Sequence, residues 1–311
     1  MRDRASGGLL FGLAAVVAWA VYNVGVEMGH AQGFASADLT LLRYAGGAAA
    51  MVPLLLLARA NPFAGPGVLR LAVLVMVAGP PFAWAINTGY ALAPLSHAVV
   101  IGPGMTMLVA TGLTRATGGT AISPNRMIGM ALVVIGLVIM ATDAGKPGNH
   151  ADGMTTLLGD LCFVVSGTLW GVFTWAMGYW RLDALRSTGA IALVSTVLYL
   201  PLYLVLFDPP RLPGSLWVEQ VMYQGLLGGA LAVVFFTASV RRLGGDRAAV
   251  FPALVPMAAV LVSVPMIGQW PNLQQWAGIS TASLGLLVSL DLAASVFRRW
   301  GRSQDRGKAS Q

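Results

Sequence analysis

The chain of 311 residues contains few of the groups that stabilise small secreted domains or carry enzyme chemistry. Cys162 is its only cysteine, so an internal disulfide and a metal site of thiolates are both excluded. Charged residues make up only 10% of the chain. The motifs Gly-x-Ser-x-Gly, His-Glu-x-x-His, Gly-x-Gly-Asp and Walker A are absent. We therefore expect neither an enzyme nor a bound metal or cofactor.

Apolar residues are abundant instead, at 57% of the chain with a mean hydropathy of +0.73. They cluster in ten stretches, each close to the ~20 residues that a helix needs to cross the hydrocarbon of a bilayer. The fold class is therefore predicted to be all-α integral membrane, with ten transmembrane helices. These spans, numbered 1 to 10 in chain order, cover residues 7–29, 38–58, 68–92, 95–115, 125–143, 154–178, 186–207, 216–240, 247–267 and 273–296.

The basic residues predict how the spans are oriented. The chain has 19 Lys and Arg residues and a net charge of +7. If the N-terminus is cytoplasmic, all of them fall on the cytoplasmic side except Lys146 and Arg211 outside, and Arg43 within span 2. An excess of Lys and Arg in cytoplasmic loops is usual in membrane proteins, and a wrong number of spans would destroy this distribution. We therefore expect both termini, and a basic tail at 297–311, in the cytoplasm, with basic side chains contacting anionic lipid rather than nucleic acid.

Similar residues recur in the two halves of the chain at offsets of about 150 positions. The matching pairs are Gly8 with Gly159, Trp19 with Trp170, Gly129 with Gly278 and Gly136 with Gly285. They indicate a five-helix repeat at 7–143, a periplasmic linker at 144–153 and a second repeat at 154–296. Because five is odd, the second repeat must be inverted relative to the first. Inverted repeats are typical of transporters that open alternately to the two sides of a membrane.

These features resemble the drug/metabolite transporter superfamily with two EamA-type repeats. The resemblance rests on the Trp in the first span of each half, the short connection at Ala93-Pro94 and the Gly-x6-Gly of spans 5 and 10. Within that superfamily the sequence is most similar to bacterial aromatic amino acid exporters, which implies the bacterial inner membrane. Many EamA-type repeats carry a Glu near the end of the fourth helix. The corresponding stretches here read Leu113-Thr114-Arg115 and Ile267-Gly268-Gln269, so no role can be transferred to that carboxylate.

Aromatic and amide residues near the middle of spans 1 and 6 are candidate substrate ligands. Trp19, Tyr22 and Asn23 share one face of span 1, and Trp170 and Phe173 occupy the equivalent face of span 6. Interfacial belts are the usual place for Trp in membrane proteins, so Trp near the bilayer centre is notable. These faces would provide aromatic surface and hydrogen bonds to an aromatic zwitterion. The alternative is that they pack helices together.

Span 3 carries a similar set, Trp84 and Asn87 followed by Tyr90. An Asn in hydrocarbon must find a partner, which is either a substrate or a neighbouring helix. We expect these three residues to line the same cavity, with interhelical hydrogen bonding of Asn87 as the alternative.

Three ionisable residues are candidates for gating or coupling. His97 begins span 4 and is a candidate proton-linked gate, because imidazole is the side chain most often used for such switches. A capping or hairpin-stabilising role is the alternative. Glu27 and Arg43 are predicted to lie at similar depth and to form an ion pair, with gating or contact to substrate charges as the alternative. No carboxylate is predicted at the midplane of any span, which argues against tight proton coupling.

The function predicted from the sequence is a transporter that exports amino acids, aromatic and other neutral ones, by alternating access around a central cavity. The alternative is an exporter of other small metabolites or drugs, with or without proton coupling. The partners expected are a small-molecule substrate and the lipid bilayer, and the sequence leaves the oligomeric state open.

Overall fold

The computed structural model describes residues 2–118, 122–143, 153–243, 250–268 and 270–289. These residues form helices and short connections, with no strand among them. The helices are α1 (Arg2–Ala31), α2 (Ser36–Leu57), α3 (Gly67–Ala78), α4 (Pro80–Leu92), α5 (Leu95–Ala116), α6 (Pro124–Asp143), α7 (Gly153–Tyr179), α8 (Ala184–Leu206), α9 (Gly214–Gln220), α10 (Ala232–Leu243), α11 (Val250–Ile267) and α12 (Leu273–Ser289). A π-helix, Val221–Leu231, joins α9 to α10.

Within the described residues, seven helical stretches are long and apolar enough to cross a membrane. They correspond to predicted spans 1–4 and 6–8. Spans 5 and 9 appear as the shorter apolar helices Pro124–Met140 and Phe251–Ile267, and span 10 as α12 with 17 residues. The chain is therefore a multi-pass, all-helical membrane protein. The full count of ten, the orientation of the termini and the repeat boundaries remain predictions. The linker at 144–153 and the tail at 297–311 lie almost wholly outside the described residues.

Two of the predicted spans depart from a regular α-helix in ways that hydropathy does not indicate. Span 3 is divided at Gly79, whose extended backbone separates α3 from α4. Pro80 then occupies the first position of α4, where its missing N–H leaves no hydrogen bond unmade. Span 8 is continuous, but its central 11 residues form the π-helix. π-helices are rare and occur mostly as single-turn bulges inside α-helices, which are frequently found at functional sites.

The helices of the two halves pack in corresponding ways. α1 packs against α10 and α11, and α7 packs against α4 and α5. If span 1 corresponds to span 6, span 3 to span 8 and span 4 to span 9, these two sets of contacts are equivalent. The same holds at the start of each repeat, where Gly8 lies against Leu243 and Gly159 lies against Ala93. This packing supports the predicted repeat.

The contact between α6 and α12 is formed by the two copies of the Gly-x6-Gly motif. A methyl group added to Gly129 would lie 2.5 Å from the carbonyl oxygen of Gly285, and one added to Gly136 would lie 2.9 Å from that of Gly278. The order of these contacts makes the helices antiparallel. Gly129 therefore faces Gly285, the repeat partner of Gly136, and Gly136 faces Gly278, the repeat partner of Gly129. A two-fold axis between the helices requires this arrangement. Close approach of this kind is the usual function of small residues in membrane helices.

Candidate functional site

A partly buried arginine lies among aromatic rings where four helices meet. Arg43 is in the second turn of α2, and its guanidinium carbon lies 4.8 Å from the ring centroid of Tyr22 on α1. It also lies 5.4 Å from the centroid of Phe82 on α4. Both distances are typical of cation–π interactions. The Nη1 atom of Arg43 is buried and has no hydrogen-bond partner in the part of the chain described.

The aromatic group continues from Phe82 into the second half of the chain. The ring of Phe82 lies 4.8 Å from that of Trp170 on α7, and Trp170 lies 4.7 Å from Phe173. Together these five residues, Tyr22, Arg43, Phe82, Trp170 and Phe173, are called the Arg43 site below. It has a fixed positive charge, a buried donor and four aromatic rings. An arginine can bind a carboxylate through two parallel hydrogen bonds, and aromatic rings offer apolar surface beside it.

The π-helix contacts the Arg43 site through glycines. A methyl group added to Gly228 would overlap the ring of Tyr22. Gly225 lies directly against the backbone of Gly46 on α2, at 2.5 Å for an added methyl group. Only residues without a side chain allow the π-helix to approach α1 and α2 this closely. The position of Tyr22 therefore depends on the absence of a Cβ atom on the neighbouring element.

Asn23 is satisfied by protein groups. Its Nδ2 donates to the carbonyl oxygen of Trp19 at 2.9 Å, and its Oδ1 accepts from the hydroxyl of Tyr90 at 2.7 Å. The Tyr90 ring makes an edge contact with Phe163 of α7, at 5.3 Å between centroids. Asn23 and Tyr90 thus join α1 to α4 and α7, as the packing alternative predicts. A role for either residue in substrate binding remains a prediction.

The remaining predicted ligands lie outside the Arg43 site. Trp19 is half-buried against Phe236 of α10, at 5.6 Å between ring centroids. Trp84 is 37% exposed and contacts Phe207, which follows α8. Trp84 also lines an apolar surface groove of about 410 Å³ between α4 and α7, together with Pro81, Ala85, Thr88, Leu161, Cys162 and Val165.

Asn87 is fully buried and bonds to other helices. Its Nδ2 donates to Thr40 Oγ1 of α2 at 3.1 Å. Its carbonyl oxygen lies 2.8 Å from His30 Nε2 on α1, and His30 Nδ1 lies 3.1 Å from the carbonyl oxygen of Phe34. Asn87 therefore connects α4 to α1 and α2. These contacts support the interhelical alternative for this residue.

His97 pairs with a carboxylate from the other half of the chain. Its Nδ1 lies 2.8 Å from Asp160 Oδ1, and the two residues are 1% and 8% exposed. His97 is in the first turn of α5 and Asp160 is in the second turn of α7. Glu27 is also buried, at 9% exposure, whereas its pairing with Arg43 stays a prediction.

Sequence patterns did not single out Phe82 or the partner of His97. Phe82 follows Pro80-Pro81 among apolar residues, so its ring had no distinguishing signal. His97 and Asp160 are 63 positions apart, and each belongs to a different predicted repeat. Their position near the start of spans 4 and 6 was visible in the sequence. Their contact depends on which helices are neighbours, and hydropathy does not give that.

Comparison with known proteins agrees with this architecture. No curated protein matches the chain. One solved structure, described only as "Crystal structure of protein", superposes with a TM-score of 0.64 at 17% sequence identity. The match covers 92% of this chain and 97% of that one, so the two share a fold. Residues 157–290 match the EamA-like transporter family. Residues 157–290 are thus similar to EamA-like transporters, which supports the predicted resemblance to the drug/metabolite transporter superfamily.

Proposed function

We propose that this transporter exports amino acids, aromatic and other neutral ones, and that the Arg43 site binds them. The observation that carries the proposal is the buried Nη1 donor of Arg43, which has no hydrogen-bond partner in the described part of the chain. A buried donor of this kind is costly unless a ligand or water satisfies it. A carboxylate matches the geometry and charge of a guanidinium, and the rings of Tyr22 and Phe82 beside it, continued by Trp170 and Phe173, suit an aromatic side chain.

Alternating access gives the substrate a route through the protein. The Arg43 site combines residues of α1, α2 and α4 with Trp170 and Phe173 of α7, so it joins the two halves. Movement of α7 relative to α4 changes the site directly. The antiparallel contact of α6 with α12 and the corresponding packing of α1 and α7 support two inverted repeats, which is the arrangement such a mechanism needs.

The alternative is export of other small metabolites or drugs, and the EamA-like domain is equally consistent with it. The two proposals differ in whether a carboxylate is required. A substrate without a carboxylate would leave the Arg43 donor unsatisfied, whereas an amino acid would bind it. Transport of matched compounds therefore distinguishes them.

The test uses purified protein in liposomes and measures counterflow of labelled phenylalanine and tryptophan. Phenylalanine should compete and phenylalaninamide, which lacks the carboxylate, should not. Arg43→Gln should weaken apparent affinity by about 10- to 100-fold, the range expected for hydrogen bonds to a charged group. Arg70→Gln is the matched control, because Arg70 also lies over an aromatic ring, Trp180, but is exposed. Equal competition by both compounds, or unchanged transport in Arg43→Gln, would contradict amino acid recognition at this site.

A further inference from the structure

We propose that His97 and Asp160 form a proton-binding site that holds α5 and α7 together and makes opening of the transporter depend on pH. This inference rests on the alternating-access mechanism proposed above. It does not rest on the substrate or on the Arg43 site. The ligand is a proton, and the binding groups are one imidazole and one carboxylate on opposite halves of the chain.

The geometry of the pair supports this role. Asp160 Oδ1 lies 2.8 Å from His97 Nδ1, so the imidazole donates to the carboxylate. Asp160 Oδ2 is buried and accepts no hydrogen bond within the described residues. Next to the pair, Gly159 lies against Ala93 in the connection between α4 and α5, so the helices approach closely at this point. Both side chains are themselves buried, so little of either is in contact with solvent in this arrangement.

Charge explains why proton binding and closure should be linked. With a proton on both ring nitrogens, the pair consists of an imidazolium and a carboxylate and is neutral overall. With a neutral imidazole it carries one negative charge. A net charge removed from water is costly, while an ion pair that is hydrogen-bonded is less so. The closed state therefore favours the protonated pair, and loss of the proton favours separation of α5 from α7 so that water can reach the carboxylate.

Several helices packed against α5 carry other titratable groups near the end that holds His97. Helices α1, α4, α6, α7, α11 and α12 all pack against α5. α11 and α12 contain no titratable residue. The groups on the remaining helices toward this end of α5 are Tyr22, Glu27 and His30 on α1, Tyr90 on α4, Asp143 on α6, and Asp160 and Cys162 on α7. His30 is the only other imidazole among them, so it is the natural control.

The repeat makes the pair specific to one side of the molecule. Trp19 and Trp170 are 151 positions apart, and the same offset makes Leu9 the equivalent of Asp160. Leucine cannot bind a proton. A proton site at one mouth without a counterpart at the other makes the two openings unequal. External or internal pH would then bias which arrangement is populated.

The test measures opening near His97 without any substrate. Ser96 is buried beside His97 on α5, so Ser96→Cys in a Cys162→Ser background reports whether water-soluble thiol reagents reach this position. Labelling is followed in liposomes from about pH 6 to about pH 8, the range over which histidines commonly titrate. Each rate is divided by that of the same cysteine in a His97→Asn protein, which corrects for the reactivity of the thiol itself.

Labelling should rise several-fold with pH when His97 is present, and His30→Asn should leave that rise unchanged. Asp160→Asn should reverse the trend, because the protonated pair would then carry a positive charge and the deprotonated pair would be neutral. A corrected rate that is independent of pH, or the same rise in Asp160→Asn, would overturn the proposal. So would loss of the rise in His30→Asn. Because no substrate is present, failure of amino acid recognition at Arg43 would not affect the result.

Discussion

Arg43 contacts the faces of aromatic rings, and a hydrogen-bond acceptor for its buried Nη1 is absent from the described residues. Ring faces attract a guanidinium but accept no directed hydrogen bond of normal strength. The rings thus hold Arg43 in position, and its Nη1 can still donate a hydrogen bond to a ligand. In this respect Arg43 differs from Asn23, whose two amide atoms both bond to protein groups.

Trp170 and Trp84 allow a matched test at the residue scale. Trp170 lies between Phe82 and Phe173 in the Arg43 site, whereas Trp84 is exposed in the groove beside α7. Trp170→Ala should reduce transport of aromatic amino acids strongly, since the site then loses aromatic surface, and Trp84→Ala should not. Counterflow rates normalised to membrane abundance are the measurement. Equal rates for the two variants would assign Trp170 to helix packing.

Asn87 should respond differently from the residues of the Arg43 site. Its fully buried amide bonds to Thr40, so Asn87→Ala leaves a buried hydroxyl without that donor. We expect a loss of stability of about 1–3 kcal/mol, seen as a lower unfolding temperature in detergent. Thr40→Val in the same background should add little further loss, because both partners are then removed. Full additivity of the two changes would show that the hydrogen bond contributes nothing.

At the scale of elements, the π-helix is the least expected feature. It brings Gly225 against Gly46 and Gly228 against Tyr22, so its geometry and its glycines depend on each other. Small residues at four-residue spacing, such as Gly225 and Gly229, are typical of close packing between membrane helices. The sequence did not predict the π geometry, because an 11-residue π segment in an apolar span has the same composition as an α-helix.

Gly225→Ala tests that dependence. An added methyl group would lie 2.5 Å from the backbone of Gly46, which cannot move aside as a flexible side chain can. We expect destabilisation of at least the ~1–3 kcal/mol typical of overpacking. Gly112→Ala is the control, since that glycine lies inside α5 with no atom near the added methyl group. It should be neutral or stabilising by up to about 1 kcal/mol.

One result would contradict the proposed dependence of stability on the contact between the π-helix and α2. If Gly225→Ala and Gly112→Ala unfold at the same temperature, then the approach of the π-helix to α2 does not limit stability. Counterflow of the Gly225→Ala protein gives a second readout, because displacement of the π-helix should also displace Tyr22.

At the scale of the whole molecule, the sequence predicted much of the fold and less of the site. Hydropathy located the helices because a membrane span must be long and apolar whatever it contacts. Residue type and helical spacing made Tyr22, Trp170 and Phe173 candidates. Tyr22 lies beside Arg43, and Trp170 and Phe173 continue the aromatic group through Phe82. Sequence patterns missed Phe82 and the pairing of His97 with Asp160, since contacts between distant helices leave no periodic signal. The roles of these residues in binding remain predictions.

The distribution of basic residues predicts the topology. In a Cys162→Ser background, a cysteine at Gly148 should react with impermeant reagents from the periplasm, and one at Ser303 only from the cytoplasm. Both positions lie outside the described residues, so this prediction depends on the positive-inside bias alone. Labelling of both cysteines from the same side would contradict ten spans with two cytoplasmic termini.

The crossing of α6 and α12 has a mechanical consequence. Its glycines bring backbone against backbone, with no side chain between Gly129 and Gly285 that could change rotamer as the helices slide. Two backbones in direct contact cannot adjust to sliding by a change of side-chain rotamer, so their spacing stays constant or the contact is lost. Motion that separates α5 from α7 would therefore be a rotation with this crossing as its hinge. The largest displacements would occur in the helices farthest from it.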